Sequence, residues 1–136
     1  MENPKTDENP KIIRFPGNIG DSGNLFFWEN KKLFPNGIVR CFWVHQVPEG
    51  YIRGKHAHRN ETQVLIAMSG ELEVTIRLPK GESQTFILRD PSEGLLIPPF
   101  HWVETRFSPG AVLLGLSNQE FSEEDYIRNP EEFGNL

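Results

Sequence analysis

The sequence predicts an all-β chain, a β-barrel or jelly roll with a short C-terminal helical segment. Three observations carry this expectation. From Ile38 onward, short runs rich in Val, Ile, Leu, Phe and Trp recur between turns built on Gly and Pro. Glu71–Leu78 alternates cleanly, setting Leu72, Val74, Ile76 and Leu78 against Glu71, Glu73, Thr75 and Arg77, which is the period of a strand with one wet face. Helical signals are confined to Ser122–Arg128 and Pro130–Phe133, where Ser122 precedes three acidic residues in the manner of an N-cap.

The elements follow in order. Two Asn-Pro pairs and several charges open the chain, so residues 1–11 are expected to be flexible. Ile12–Phe15 reads as a first strand stopped by Pro16–Gly17; Gly17–Gly23 reads as a loop, and Leu25–Trp28 as a second strand. Pro35–Asn36–Gly37 is a turn. Ile38–Val47 is the next strand, with Val39, Cys41, Trp43 and His45 on one face and Ile38, Arg40, Phe42 and Val44 on the other. Pro48–Glu49–Gly50 turns the chain into a histidine-bearing segment, and the apolar run Val64–Met68 ends at Ser69–Gly70. After Glu71–Leu78, turns at Pro79–Lys80–Gly81, Asp90–Gly94 and Ser108–Pro109–Gly110 punctuate the strands Gln84–Leu88, Leu95–Ile97, Trp102–Phe107 and Ala111–Leu116.

Length and composition narrow the class. At 136 residues the chain is the size of one domain, residues 1–136, and long enough to bury a core without staples. Hydrophobic residues are only 37% of it, but ten Phe and three Trp supply bulky core material. A net charge of −5 leaves no basic footprint for nucleic acid. The lone Cys41 excludes an internal disulfide and a Cys-rich zinc site, and fits a reducing compartment. Met1–Lys11 has no apolar core of the kind a signal peptide carries, and no apolar run approaches the ~20 residues that span a bilayer. The expectation is a cytoplasmic protein without a membrane or nucleic-acid partner.

The most informative stretch runs from Gly50 through His56 and His58 to Gln63 and Gly70, with the spacing G-x5-H-x-H-x4-Q-x6-G. Two histidines two apart on an extended segment project to the same side. As metal ligands they lack a carboxylate at the third place, where Gln63 offers only a neutral oxygen. As acid and base they suit proton transfer near neutral pH, with Gln63 orienting a ring or a hydroxyl and Arg53 supplying a cation. They are also compatible with ordinary strand histidines bonded to backbone. The pattern resembles the first motif of the cupin superfamily, whose third ligand is normally a glutamate. Gly94–Trp102, a strand running into Pro98–Pro99 and then His101, resembles the second motif in compressed form. Phe42, Trp43, Phe100 and Trp102 form a candidate aromatic wall, and Glu104 a candidate carboxylate, although aromatics at alternating positions also suit a core and Glu104 a solvated face.

A narrower resemblance covers Ile38 to Phe133. Arg53–Gly54–Lys55–His56–Ala57–His58, then Gln63–Val64–Leu65, Ser69–Gly70 and the tail Asp125–Tyr126–Ile127–Arg128 are similar to the WxcM-like (FdtA-type) dTDP-4-keto-6-deoxyglucose 3,4-ketoisomerases of bacterial deoxysugar pathways. The resemblance implies an isomerase that moves a ketone from C4 to C3 of a nucleotide-linked sugar through an enediolate, with no metal and no cofactor, working as a homodimer. It implies His58 as the base, His56 as its partner, and Arg53, Gln63, Arg40, Trp43, His101 and Trp102 as substrate contacts. The chain departs from the family where R-x-Y-Y appears as Arg40–Cys41–Phe42–Trp43, where S-R-G-x-L appears as Asp21–Ser22–Gly23–Asn24–Leu25, and where His101 and Trp102 stand in exchanged order. A non-catalytic nucleotide-sugar-binding cupin and a metal-dependent cupin enzyme are the alternatives.

Overall fold

Period-two alternation folds into two antiparallel five-stranded sheets packed face to face. In the computed structural model, which describes residues 8–29 and 31–136, the elements are β1 (Lys11–Arg14), β2 (Gly17–Gly20), β3 (Gly23–Phe26), β4 (Arg40–Val44), β5 (Ile52–His58), β6 (Gln63–Ser69), β7 (Leu72–Arg77), β8 (Ser83–Leu88), β9 (Glu93–Ile97), β10 (Trp102–Phe107), β11 (Val112–Ser117), β12 (Tyr126–Ile127) and α1 (Pro130–Gly134). One sheet runs β1-β9-β6-β11-β4, the other β12-β5-β10-β7-β8. The strand order interleaves distant segments, as a jelly roll requires.

Three apolar layers result. Between the sheets, Leu65, Leu72, Val74, Ile76, Leu88, Leu95, Val103 and Leu113 form the main core. Outside the first sheet, Val64, Ile66 and Leu96 pack under Phe34 and Trp28, so β6 is buried on both faces. Outside the second, Ala57, Trp102 and Ile127 pack under Phe133 of α1. No helix among the described residues is long and apolar enough to cross a membrane.

Two sequence expectations are corrected. Gly17–Gly23 is not a loop: β2 and β3 form a hairpin about Asp21–Ser22, with Gly17 opposite Phe26 and Gly20 opposite Gly23. Its glycines and asparagines hide the strand signal, and it projects into solvent with Ile19 80% exposed. Ser122–Arg128 is not a helix either. Ser122 makes no side-chain cap, a single 3-10 turn spans Glu123–Asp125, and Tyr126–Ile127 pairs with His58 and Ala57 of β5. The helix begins at Pro130, where the Asn129 side chain accepts from the Glu131 and Glu132 N–H groups. Of the expected flexible residues, 1–7 lie outside the described residues, and Lys11 already pairs with Leu96.

Candidate active site

The open end of the sandwich holds a cavity of about 630 Å³, walled by β4, β5, β6, β10, β11 and the segment from Phe121. A bulge in β5 shapes it. Arg53 pairs with Thr105 and His56 with Val103, so Gly54 and Lys55 share the single partner position of Glu104. Gly54 supplies the left-handed φ of +71° that this kink needs. Arg53, Gly54, Lys55 and His56, the residues of this irregularity, all line the cavity.

Past the bulge, strict alternation resumes and stacks His56 and His58 on one side. Their rings meet edge to face with centroids 4.8 Å apart. Tyr126, brought alongside by β12, touches both, at 4.9 Å from His56 and 4.3 Å from His58. The two imidazoles nevertheless occupy different environments. His56 lines the cavity, and burial together with the charges of His58, Arg128 and Arg40 pushes its pKa down to about 3, against an opposing pull from Glu123. It is therefore neutral at physiological pH. His58 lies behind it, 6% exposed and outside the lining. Its Nδ1 is 2.9 Å from Asp125 Oδ2, close enough for an Nδ1–H to donate to that carboxylate. Its Nε2 is 3.2 Å from Gln63 Nε2 and 3.1 Å from Glu61 Oε2. Burial lowers the His58 pKa; Glu61 and Asp125 oppose it.

Glu61 is the hub of this buried network. Only 2% exposed, it accepts from the Gln63 amide and from Arg40 Nη2 at 2.5 Å. Burial pulls Arg40 down, but Glu61 and the Tyr126 hydroxyl together raise it above its ordinary value. His58, Glu61 and Asp125 are the one group of potential metal-ligand side chains among the described residues. The set does not fit a metal centre. Its two carboxylates face opposite nitrogens of one imidazole, so an ion on either nitrogen loses one of them. Glu61 is in addition already committed to Arg40 and Gln63.

The lining has one sign of charge. Among the described residues, Arg40, Arg53, Lys55 and Arg128 line the cavity and no Asp or Glu does, in a chain of net charge −5. Arg40 is paired with Glu61 and Arg128 with Glu123, whereas Arg53 and Lys55 have no carboxylate partner among the described residues. At the mouth stand the exposed rings of Trp43, Tyr51 and Phe121.

Of the residues the sequence put at the site, His56, Arg40, Arg53, Gln63 and Trp43 line the cavity. His58 sits one layer back, which makes His56 the imidazole a cavity ligand can meet. His101 and Trp102 are not in the lining. His101 is 3% exposed, and its Nδ1 bonds the carbonyls of Pro98 and Pro99 at 3.3 and 2.9 Å. It braces a turn in which Phe100 takes a φ of +60° and donates its N–H to the His58 carbonyl. Burial holds the His101 pKa below its ordinary value, against these two carbonyls. On β10, Val103, Thr105 and Phe107 point inward, so parity turns Trp102 and Glu104 outward, where Trp102 Nε1 donates to Glu104 at 3.0 Å. Of the candidate aromatic wall, Phe42 and Trp43 reach the cavity, and Phe100 and Trp102 do not. Sequence reasoning gave no role to Glu61, Lys55, Asp125, Tyr126 or Arg128. The D-Y-I-R tail was the available signal for the last three; Glu61 lies in an irregular segment with none.

The site's match to known proteins extends over the chain. The FdtA family model, described as WxcM-like, C-terminal, matches residues 8–136. The TDP-4-oxo-6-deoxy-α-D-glucose-3,4-oxoisomerase of Aneurinibacillus thermoaerophilus is 33% identical over 125 residues, which is 90% of this chain and 88% of that one. Among solved structures, the sugar 3,4-ketoisomerase QdtA of Thermoanaerobacterium thermosaccharolyticum, in complex with TDP, is 34% identical with a TM-score of 0.87, covering 96% of this chain and 95% of that one. The TDP-quinovose 3,4-ketoisomerase WlaRB of Campylobacter jejuni is 35% identical with a TM-score of 0.86, covering 95% and 99%.

Proposed function

This chain belongs to the FdtA family, and from that premise we propose that it is a TDP-sugar 3,4-ketoisomerase that moves a ketone from C4 to C3 of a 4-keto-6-deoxyhexose by proton transfer alone. The observation that carries the reading is a neutral imidazole, His56, on the wall of a cavity whose other ionisable lining groups are four cations and two phenols.

The residues divide the work by position. His56 takes the proton from C3, being the imidazole in the cavity and free to accept one. His58 is its positioning partner, held by Asp125 and Gln63. Arg40 is the cation for oxyanion character developing on the sugar. Arg53 and Lys55, without carboxylate partners, suit the diphosphate. The exposed rings of Trp43 and Phe121 offer a flat apolar surface for the thymine. Gln63 orients His58 rather than substituting for a metal ligand, and the chemistry needs no ion.

We further assign a homodimer built through the projecting β2–β3 hairpin, whose Ile19 and Leu25 are 80% and 60% exposed, and a cytoplasmic location consistent with the single reduced Cys41. The test of the activity is direct. Purified protein incubated with TDP-4-keto-6-deoxyglucose should yield the 3-keto sugar by NMR, undiminished after dialysis against a chelator. Tight binding of the nucleotide-sugar without conversion would make the chain a binding module; loss of conversion with the chelator would make it a metal enzyme.

A further inference from the structure

Moving a ketone between neighbouring carbons needs two proton carriers, one for carbon and one for oxygen. His56 serves carbon; nothing assigned so far serves oxygen. On β4 the cavity-lining rings are Phe42 and Trp43, neither of which has a phenolic proton. The chain has only two tyrosines, and both line the cavity. Tyr51 is 65% exposed at the mouth. Tyr126 lies deeper, against His56 and His58, with its hydroxyl interacting with the Arg40 guanidinium. The Arg128 guanidinium sits over its ring, 4.2 Å from the centroid.

We propose that Tyr126, reached through the C-terminal strand β12 rather than through β4, is the catalytic acid–base that carries the hydroxyl proton between O4 and O3. The inference rests on the ketoisomerase reading above and deepens it. As the C3–H bond breaks, its proton goes to His56 and its electron pair forms C3=C4. The carbonyl π pair becomes a lone pair on O4, whose charge Arg40 balances until O4 takes the Tyr126 proton. The phenolate then takes the proton from O3 as the C3 carbonyl forms, and the C3=C4 pair takes the proton back from His56 at C4. Phenol and imidazole both end as they began, no electrons leave the sugar, and no co-reactant is needed. Two guanidinium groups are in place to stabilise the transient phenolate: Arg40 at the oxygen and Arg128 over the face.

The experiment separates this inference from the reading beneath it. Wild type, Tyr126→Phe and Tyr51→Phe are incubated with TDP-4-keto-6-deoxyglucose in deuterated water, and deuterium at C3 of the 4-keto sugar and formation of the 3-keto sugar are followed together. Tyr126→Phe keeps the ring packing and the Arg40 charge, so exchange at C3 should stay within about tenfold of wild type while conversion falls by about 100-fold or more. Conversion by Tyr126→Phe at the wild-type rate, or its loss in Tyr51→Phe instead, would overturn the assignment to Tyr126. Absence of both exchange and conversion in wild type would instead sink the ketoisomerase reading.

Discussion

Asp125 Oδ2 stands 2.9 Å from His58 Nδ1, and this one contact ties the C-terminal tail to the histidine strand. It anchors the His58 ring and, through the 4.8 Å edge-to-face contact, the attitude of His56. Asp125 also accepts from the Asn60 N–H at 2.6 Å, so it holds the loop after β5 as well as the ring. Asp125→Ala should lower kcat at least about tenfold with a smaller change in KM, because it disorders the base without removing a cavity contact. Steady-state kinetics check this; an unchanged kcat would show that His58 needs no such anchor.

The Arg40–Glu61 pair is close to fully enclosed on the Glu61 side, and Arg40 Nε already has no partner. Glu61→Ala strands the guanidinium and removes the acceptor of Gln63, a change expected to cost about 3 kcal/mol or more in unfolding free energy. Denaturant titration measures it. A loss under about 1 kcal/mol would mean that water reaches Arg40 and restores its bonds.

The pH profile should betray the cavity imidazole. His56 must be neutral to accept a proton, and its folded value of about 3 lies far below the ordinary 6.5. kcat/KM should therefore stay level from pH 7 to 5, where an unperturbed histidine base would lose about 25-fold. The sign for stability follows from the same shift. The unfolded chain binds a proton that folded His56 refuses, so this contribution to stability is complete above 6.5 and is lost as pH falls toward 3. His56→Asn should soften the acid-induced loss of stability across that window. An acid limb near 6.5 in the kinetics would contradict the burial argument.

Gly54 is the hinge of the β5 bulge, at a φ of +71° with no atom closer than 3.9 Å to an added Cβ. Gly54→Ala should therefore cost about 1 kcal/mol through backbone strain alone, and should disturb the placement of Arg53 and His56 on either side of it. Gly115 is the opposite case: a Cβ there would overlap the Phe42 ring, so Gly115→Ala acts by overpacking beneath β4. Thermal unfolding paired with KM separates the two, since the Gly54 variant should lose more affinity per unit of stability. Equal effects on KM would remove the special role given to the bulge.

Much of this was legible in the residues. Alternation in Glu71–Leu78 and turns at Gly and Pro located the β-sandwich, and H-x-H spacing located the paired imidazoles. The limits were physical. Period two says which residues share a face but not which face is inside, so the sequence admits Trp102 at the ligand although Val103 and Thr105 own that side of β10. It cannot register a bulge, which here interrupts the alternation between Arg53 and His56 and leaves both on the cavity wall. Two histidines on one face look equivalent until depth separates them, and depth put His56 rather than His58 in front. Glu61, Asp125 and Tyr126 lie on irregular or very short segments, where side-chain direction is set by tertiary contacts and no periodicity announces it.

Isotope exchange at C3 reports the proton removal given to His56 without depending on any later step. In deuterated water with TDP-4-keto-6-deoxyglucose, wild type should place deuterium at C3 of the recovered substrate. His56→Asn should reduce that incorporation by about 100-fold or more while still binding TDP. Undiminished C3 labelling by His56→Asn, with His58→Asn abolishing it, would contradict the account and move the base one layer back.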